Sequence, residues 1–355
     1  MKQRIGIIGC GNISDTYLEM NRKFTGLEVV AVTDMDTVRR DAQAAKYGVQ
    51  AMDLGELLSS DVAAVVNITP PGAHASVTLQ ALEAGKHVYS EKPLAVGLED
   101  GFKIRDLAAA KGLRVGCAPD TFLGAGLQTS RDLLESGILG TPLNAFACMT
   151  SNGVEGWHPN PHFFYQPGAG PLFDMGPYYI TALVHLLGAV KSVTASARKS
   201  LETRTAKNGD VIPVNTPTHV SANLEFVSGA IGTLLTTFDV QASTLPRIEV
   251  YGSDGTLLAP DPNTFDGPVR YRSKGDGDWL EADINRPYRE NSRGIGLADM
   301  LAAAQEGRTH RASLELAVHV LETMHAVLKS AEEGRRVTLE TTVAQPEALP
   351  SSLTF

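Results

Sequence analysis

Directly after a short β-branched run the chain reads Gly9-Cys10-Gly11-Asn12-Ile13-Ser14, and a segment of helical period begins at once. Two glycines so placed allow a tight turn and a close backbone approach to a charged ligand. Asn12 and Ile13 lead into a helix whose positive end suits a pyrophosphate. Ser14 stands at the third position, where Gly or Ala is usual, and is small enough for the helix to pack on the strand. Asp34 closes the next β-like run, where a carboxylate can receive the ribose 2′-hydroxyl of a dinucleotide. With Asp36 beside it, Asp34 repels a 2′-phosphate, so the pattern favours NAD over NADP. Arg39 and Arg40, one helical turn further on, argue the other way. The plain alternative is that the glycines only turn the chain and Asp34 only caps a helix starting near residue 36.

A second set of chemical groups, Glu91-Lys92-Pro93, follows the run 87–90. At the carboxyl edge of a parallel sheet, an ammonium can polarise a hydroxyl or carbonyl oxygen and exchange a proton with it. Glu91 can orient the cofactor or pair with the lysine. The alternative is a solvated Glu-Lys pair in a proline-kinked loop.

These residues need a frame. Short β-branched runs at 4–8, 28–33, 63–68, 87–90 and 114–117 alternate with helical patterns at roughly 12–22, 36–47, 73–84 and 98–111, the signature of a doubly wound parallel sheet. Beyond residue 120 one helix is expected at 127–136. Strands then dominate, at 143–150, 192–198, 218–226, 230–239 and 246–251, before a final amphipathic helix and a last strand near 336–340. Successive strands with few helices predict a large, mostly antiparallel sheet in an α+β domain. The expected division is a dinucleotide-binding Rossmann domain at 1–120 and a substrate-binding and oligomerisation domain at 121–355.

The segment Thr69-Pro70-Pro71-Gly72-Ala73-His74, then Ala81-Leu82-Glu83-Ala84-Gly85-Lys86-His87-Val88, then Glu91-Lys92-Pro93-Leu94 resembles the glucose-fructose oxidoreductase, inositol dehydrogenase and rhizopine-catabolism family. The resemblance spans essentially the whole chain. It implies NAD(P) as a reversible redox partner and homodimers or homotetramers that often bury the sheet face. It also implies cofactor contacts from Thr69, Pro70, His74 and Glu91, a catalytic Lys92, and a cis peptide before Pro93. Gly168-Ala169-Gly170-Pro171-Leu172-Phe173-Asp174-Met175-Gly176-Pro177-Tyr178 looks like the family's glycine-rich stretch leading to Asp-x-Gly-x-His at a helix head, with Tyr178 in the histidine position and Thr181 where many members carry aspartate. Asp174 and Tyr178 are thereby candidates for catalysis and substrate binding. An ordinary tyrosine titrates at about 10, so acid/base service needs a nearby cation such as Lys92. Asp174 could instead cap a helix at 177–187, and Tyr178 could be a buried aromatic. Asp120, in a hinge where relatives often carry asparagine or tyrosine, could meet a substrate hydroxyl or fix the turn. Trp157, His158 and His162, in a ring-rich loop, could stack on a sugar and bind its hydroxyls.

Composition narrows the classes. A net charge of −9, from 40 acidic and 31 basic residues with no dense basic run, does not suit nucleic acid. No stretch approaches the ~18 apolar residues of a membrane span, and the N-terminus resembles neither signal peptide nor anchor, so a cytoplasmic location is expected. Cys10, Cys117 and Cys148 are scattered and read as small buried residues. No His, Cys or carboxylate cluster has ligand spacing, so no metal is expected. His185, His319 and His325 lie in helical patterns and read as structural. The leading expectation is an NAD-dependent oxidoreductase acting on a carbon bearing oxygen in a sugar, polyol or glycoside. Two alternatives are an NAD-dependent glycosidase working by transient sugar oxidation, and a non-enzymatic dinucleotide-responsive sensor.

Overall fold

Runs with no polar face, such as Ile5-Gly6-Ile7-Ile8 and Ala64-Val65-Val66-Asn67, sit in a sheet covered on both sides. The computed structural model, which describes residues 2–353 and 355, buries both runs completely. Six parallel strands result: β1 (Gln3–Ile8), β2 (Leu27–Thr33), β3 (Gln50–Ala51), β4 (Ala64–Asn67), β5 (His87–Ser90) and β6 (Val115–Cys117), in the order β3-β2-β1-β4-β5-β6. Helices α1 (Ser14–Leu18), α2 (Met20–Lys23), α3 (Thr37–Tyr47), α4 (Leu54–Ser59), α5 (Pro71–Glu83) and α6 (Leu98–Lys111) lie between the strands. The order reverses between β1 and β4, and ligands of such sheets bind at the carboxyl ends of the strands there. The helix expected over 12–22 is two short pieces, α1 and α2, joined through Glu19.

The second unit begins with α7 (Ala125–Glu135) and carries β7 (Pro142–Thr150), α8 (Gly170–Leu187), β8 (Val190–Arg198), β9 (Thr203–Thr205), β10 (Val211–Pro213), β11 (His219–Phe226), β12 (Ile231–Thr237), β13 (Ile248–Gly252), β14 (Gly255–Ala259), β15 (Arg270–Ser273) and β16 (Leu280–Glu281). With β17 (Val337–Thr338) they form a nine-stranded sheet, β16-β15-β14-β13-β7-β12-β11-β8-β17, antiparallel except for β7 beside β12; β9 and β10 pair separately. The fold class is therefore the expected one: a doubly wound α/β unit and an α+β unit with a large, mostly antiparallel sheet.

The division of the chain is not a single cut at residue 120. One unit comprises Met1–Leu123, Asn291–Val318 and Ser352–Phe355; the other comprises Gly124–Glu290 and His319–Ser351. The returning segment holds α9 (Ile295–Glu306) and starts α10 (Leu314–Glu333). Asp299, fully buried, holds the segment together internally, accepting hydrogen bonds from the Arg311 backbone N–H (2.7 Å) and guanidinium (2.6 Å). The segment is attached to the rest of the unit by the Arg114 guanidinium, which donates to the Arg308 carbonyl at 2.7 Å, and by Leu314 and Val318, which join the apolar core formed with Val65, Val88 and Val115. Among the described residues no helix is long and apolar enough to cross a membrane.

Candidate active site

Five neighbouring strands of the parallel sheet end at Ile8, Thr33, Asn67, Ser90 and Cys117. Gly9, Asp34, Thr69, Glu91 and Asp120 follow each end closely, so residues scattered over the sequence gather at one sheet edge. Gly9 has φ of +110°, and a Cβ there would lie 2.8 Å from the Ile68 carbonyl oxygen, so a side chain cannot replace it. Around Gly11 no atom lies within 4 Å of a would-be Cβ, which leaves that face open to a ligand. Ser14 is buried and its hydroxyl donates to the Gly11 carbonyl at 2.6 Å, closing the turn from inside. Asn12 is exposed and Ile13 half-buried at the head of α1.

The Asp34 carboxylate is held at both oxygens. Oδ2 accepts the Cys10 N–H at 2.7 Å and Oδ1 the Asp36 N–H at 2.8 Å, which ties the end of β2 to the glycine turn. The helix cap is Asp36, not Asp34, accepting the Arg39 N–H. The two arginines that could have favoured a 2′-phosphate are engaged locally, Arg39 with Asp36 and Arg40 with Asp41 and Asp53.

Asn67 organises the next turn. Its amide donates to the His74 carbonyl (2.9 Å) and Thr78 hydroxyl (3.1 Å), and its side-chain oxygen accepts the Thr69 hydroxyl (2.7 Å). Pro70 precedes α5 as its cap. His74, expected as a cofactor contact, is 1% exposed, and its Nδ1 and Nε2 each lie 2.7 Å from a carbonyl oxygen, of Pro93 and Thr69 respectively. Burial pushes its pKa down against the pull of those carbonyls, and a neutral ring donates through one nitrogen at a time. The ring ties the Thr69 turn to the Lys92-Pro93 loop. The Lys92-Pro93 peptide is cis.

Glu91 is buried beside the half-buried Lys92. Its Oε2 accepts the Lys92 backbone N–H at 3.1 Å and its Oε1 the Tyr17 hydroxyl at 2.7 Å. Tyr17 was not among the residues singled out from sequence; an aromatic in a helix reads as core, and only its partner 74 residues away reveals more. Asp120 is buried as well. Its Oδ2 accepts the backbone N–H groups of Gly294 (2.9 Å) and Gly296 (3.0 Å), so this carboxylate caps the start of α9. Burial raises its pKa, opposed by those two donors and by Arg293.

In the second unit α8 starts at Gly170, earlier than expected, because Pro171 suits a first turn and Gly170 adopts φ of +76° where a Cβ would meet the Pro217 carbonyl at 2.8 Å. Asp174 therefore lies inside the helix and is not its cap. Tyr178, four residues on and 7% exposed, shares its face. In the ring-rich loop Trp157 is exposed, His158 packs edge-on against Trp157 and Phe164, and His162 is exposed. Arg204 on β9 pins this loop: its guanidinium pairs with Glu155 and Asp239, and Glu155 also accepts the Tyr165 hydroxyl. His185 and His319 are fully buried and His325 stacks edge-on with Phe173. All three cysteines are buried and free.

Residues 3–118 match the family model described as "Oxidoreductase family, NAD-binding Rossmann fold", and residues 127–258 match the GFO/IDH/MocA C-terminal domain. An inositol 2-dehydrogenase of Saccharopolyspora erythraea is 31% identical over 74% of this chain and 74% of its own length. The D-glucoside 3-dehydrogenase of Escherichia coli is 28% identical over 95% of this chain and 97% of its own. A levoglucosan dehydrogenase solved with NADH and levoglucosan shares the fold with a TM-score of 0.82 at 20% identity, covering 96% of this chain and 99% of that one.

Proposed function

The chain belongs to the GFO/IDH/MocA oxidoreductase family, with its NAD-binding Rossmann fold, and on that premise we propose that it is an NAD-dependent dehydrogenase oxidising a CH–OH group of a sugar, polyol or glycoside. The observation that carries this reading is the gathering of Gly9, Gly11, Asp34, Glu91 and Lys92 at the carboxyl ends of adjacent parallel strands. The relatives named for inositol and D-glucoside oxidation support the substrate class. The open face at Gly11 and the fixed carboxylate at Asp34 suit a dinucleotide that carries no 2′-phosphate. Bound NAD supplies the hydride acceptor. Lys92 polarises the substrate oxygen and takes its proton, Glu91 orients the Lys92 loop, and Asn67 and His74 hold the neighbouring turn. Within the second unit, Tyr178, Asp174 and the loop of Trp157, His158 and His162 are the candidates for substrate binding.

The test is a panel of myo-inositol, methyl D-glucoside and free aldoses with NAD and NADP, followed by absorbance of the reduced cofactor. Net NADH is expected with at least one of them. Glycoside cleavage without net NADH, or cofactor binding without turnover, would point to the alternatives. Lys92→Met should lower kcat by about 10²–10⁴ with NAD affinity retained, the usual range for acid/base assistance; near-full turnover would sink this role.

The reading includes self-association through the nine-stranded sheet. On the face away from α8, Ile231 pairs with Asn144 and Asn144 with Tyr251; Ile231 and Tyr251 are exposed and Phe146 and Leu235, further along the same face, are half-buried, an apolar surface suited to a second copy. Light scattering that finds only a 37.8 kDa monomer would count against it.

A further inference from the structure

The Glu91 carboxylate lies in a crowded set of charged and titratable groups. From α1 comes Tyr17, from α5 His74, from β5 Tyr89, from the end of β6 Cys117 and Asp120, and from the segment before α9 Arg293. Of these, Tyr17 makes the direct contact: it is fully buried, and its hydroxyl donates to Glu91 Oε1 at 2.7 Å. The other oxygen, Oε2, accepts the N–H of Lys92 itself at 3.1 Å. A carboxylate gripped at both oxygens has one orientation, and here that orientation braces the backbone of the lysine. Burial and the negative charge of Glu91 and Asp120 hold the Tyr17 hydroxyl protonated, so it is a permanent donor. Tyr17 also stands on the helix that the glycine turn opens, three residues beyond Ser14, which links that turn to Lys92 through two hydrogen bonds.

We infer that Tyr17 is a positioning residue for Lys92: its hydroxyl keeps the Glu91 carboxylate turned onto the Lys92 backbone and away from free rotation toward the lysine side chain. The inference rests on Lys92 being the proton-transfer group. Released from Tyr17, the carboxylate can swing toward the ammonium, hold the proton on it, and loosen the loop that aims it. A residue that merely fills space would have no such effect on protonation.

The test uses the full-length enzyme with whichever compound of the panel gives the fastest NADH formation. Tyr17→Phe keeps the buried ring and removes only the hydroxyl. The expected result is a kcat lower by about tenfold, a rising limb of kcat/KM against pH displaced to higher pH, and NAD affinity unchanged. Glu91→Gln removes the charge, so adding Tyr17→Phe to it should displace the limb no further. An unchanged kcat and pH profile in Tyr17→Phe overturns the inference. So does a lower kcat with an unmoved limb and a lower melting temperature, which would make Tyr17 a packing residue. A further displacement in the double variant overturns it as well. Lys92→Met separates the two readings: if that variant keeps full turnover, the premise fails, whereas if it is crippled and Tyr17→Phe is silent, only the role of Tyr17 fails.

Discussion

Replacing Asp34 by serine should exchange cofactor preference for cofactor tolerance. The carboxylate is fixed by the N–H groups of Cys10 and Asp36, so it cannot turn aside from a 2′-phosphate. Two unit charges ~4 Å apart interact with ~1 kcal/mol in water and ~4 kcal/mol at a protein surface; Asp34 is half-buried, and salt reduces the repulsion further. Even the lower end of that range, joined to the lost ribose hydrogen bonds, exceeds the ~1.4 kcal/mol that separates cofactors tenfold. Arg39 and Arg40 offset little, because a 2′-phosphate must first draw them from Asp36, Asp41 and Asp53. The wild-type enzyme should therefore show kcat/KM at least ~10-fold higher with NAD than NADP, and Asp34→Ser should reduce that ratio by about the same factor. The variant should also bind NAD less well, since the Cys10 N–H at the glycine turn loses its acceptor. Steady-state rates with both cofactors and one substrate decide the matter. Equal or better use of NADP by the wild type, or an unchanged ratio in the variant, refutes the reasoning.

Tyr178→Phe, which keeps the ring and removes the hydroxyl, should lower kcat/KM if Tyr178 handles substrate or proton, and a harmless change would reduce it to packing. His319 should contribute to acid sensitivity. Its pKa is lowered to about 4 by burial, and its Nε2 accepts the Val190 N–H at 3.0 Å, which requires a neutral ring. Its stabilising effect is complete above the ordinary value of ~6.5 and fades as pH falls toward 4, a contribution on the order of 3 kcal/mol; thermal melts of His319→Gln should fall less steeply across that window, and parallel curves would contradict this. Arg204→Met should destabilise the second unit by about 3 kcal/mol, because Glu155 and Asp239 are mostly buried and lose their cation. An unchanged melting temperature would show that those carboxylates find other partners.

The parallel sheet was legible because its strands are short apolar runs buried on both faces, and most site candidates because each stands just past such a run. What escaped was long-range. Helix α9 shows no amphipathic stripe, since Ile295, Leu297, Ala298, Met300, Leu301 and Ala303 are all buried, so nothing in its period marks a helix. Asp174 looked like a helix cap because Pro177 suggested a first turn, whereas Pro171 provides it and Pro177 lies within the helix. Asp120 and His74 were visible as polar residues near the sheet edge, but their partners, Gly294 and Gly296 for one and Pro93 for the other, lie elsewhere in the chain. Sequence identifies a polar group; only the fold tells which neighbour satisfies it.

The return of Asn291–Val318 to the first unit has a consequence for synthesis on the ribosome. When residue 123 has emerged, Asp120 still lacks the helix end it caps, and the core around Val65, Val88 and Val115 lacks Leu314 and Val318. Roughly 170 residues separate the two pieces, so at ~5–20 residues per second the gap lasts on the order of ten to thirty seconds. Throughout that interval the nascent dinucleotide-binding unit carries an uncapped buried carboxylate and an uncovered apolar surface. Chaperone capture is expected to be strongest there, and truncation after residue 123 should give an aggregating fragment and not an autonomous domain.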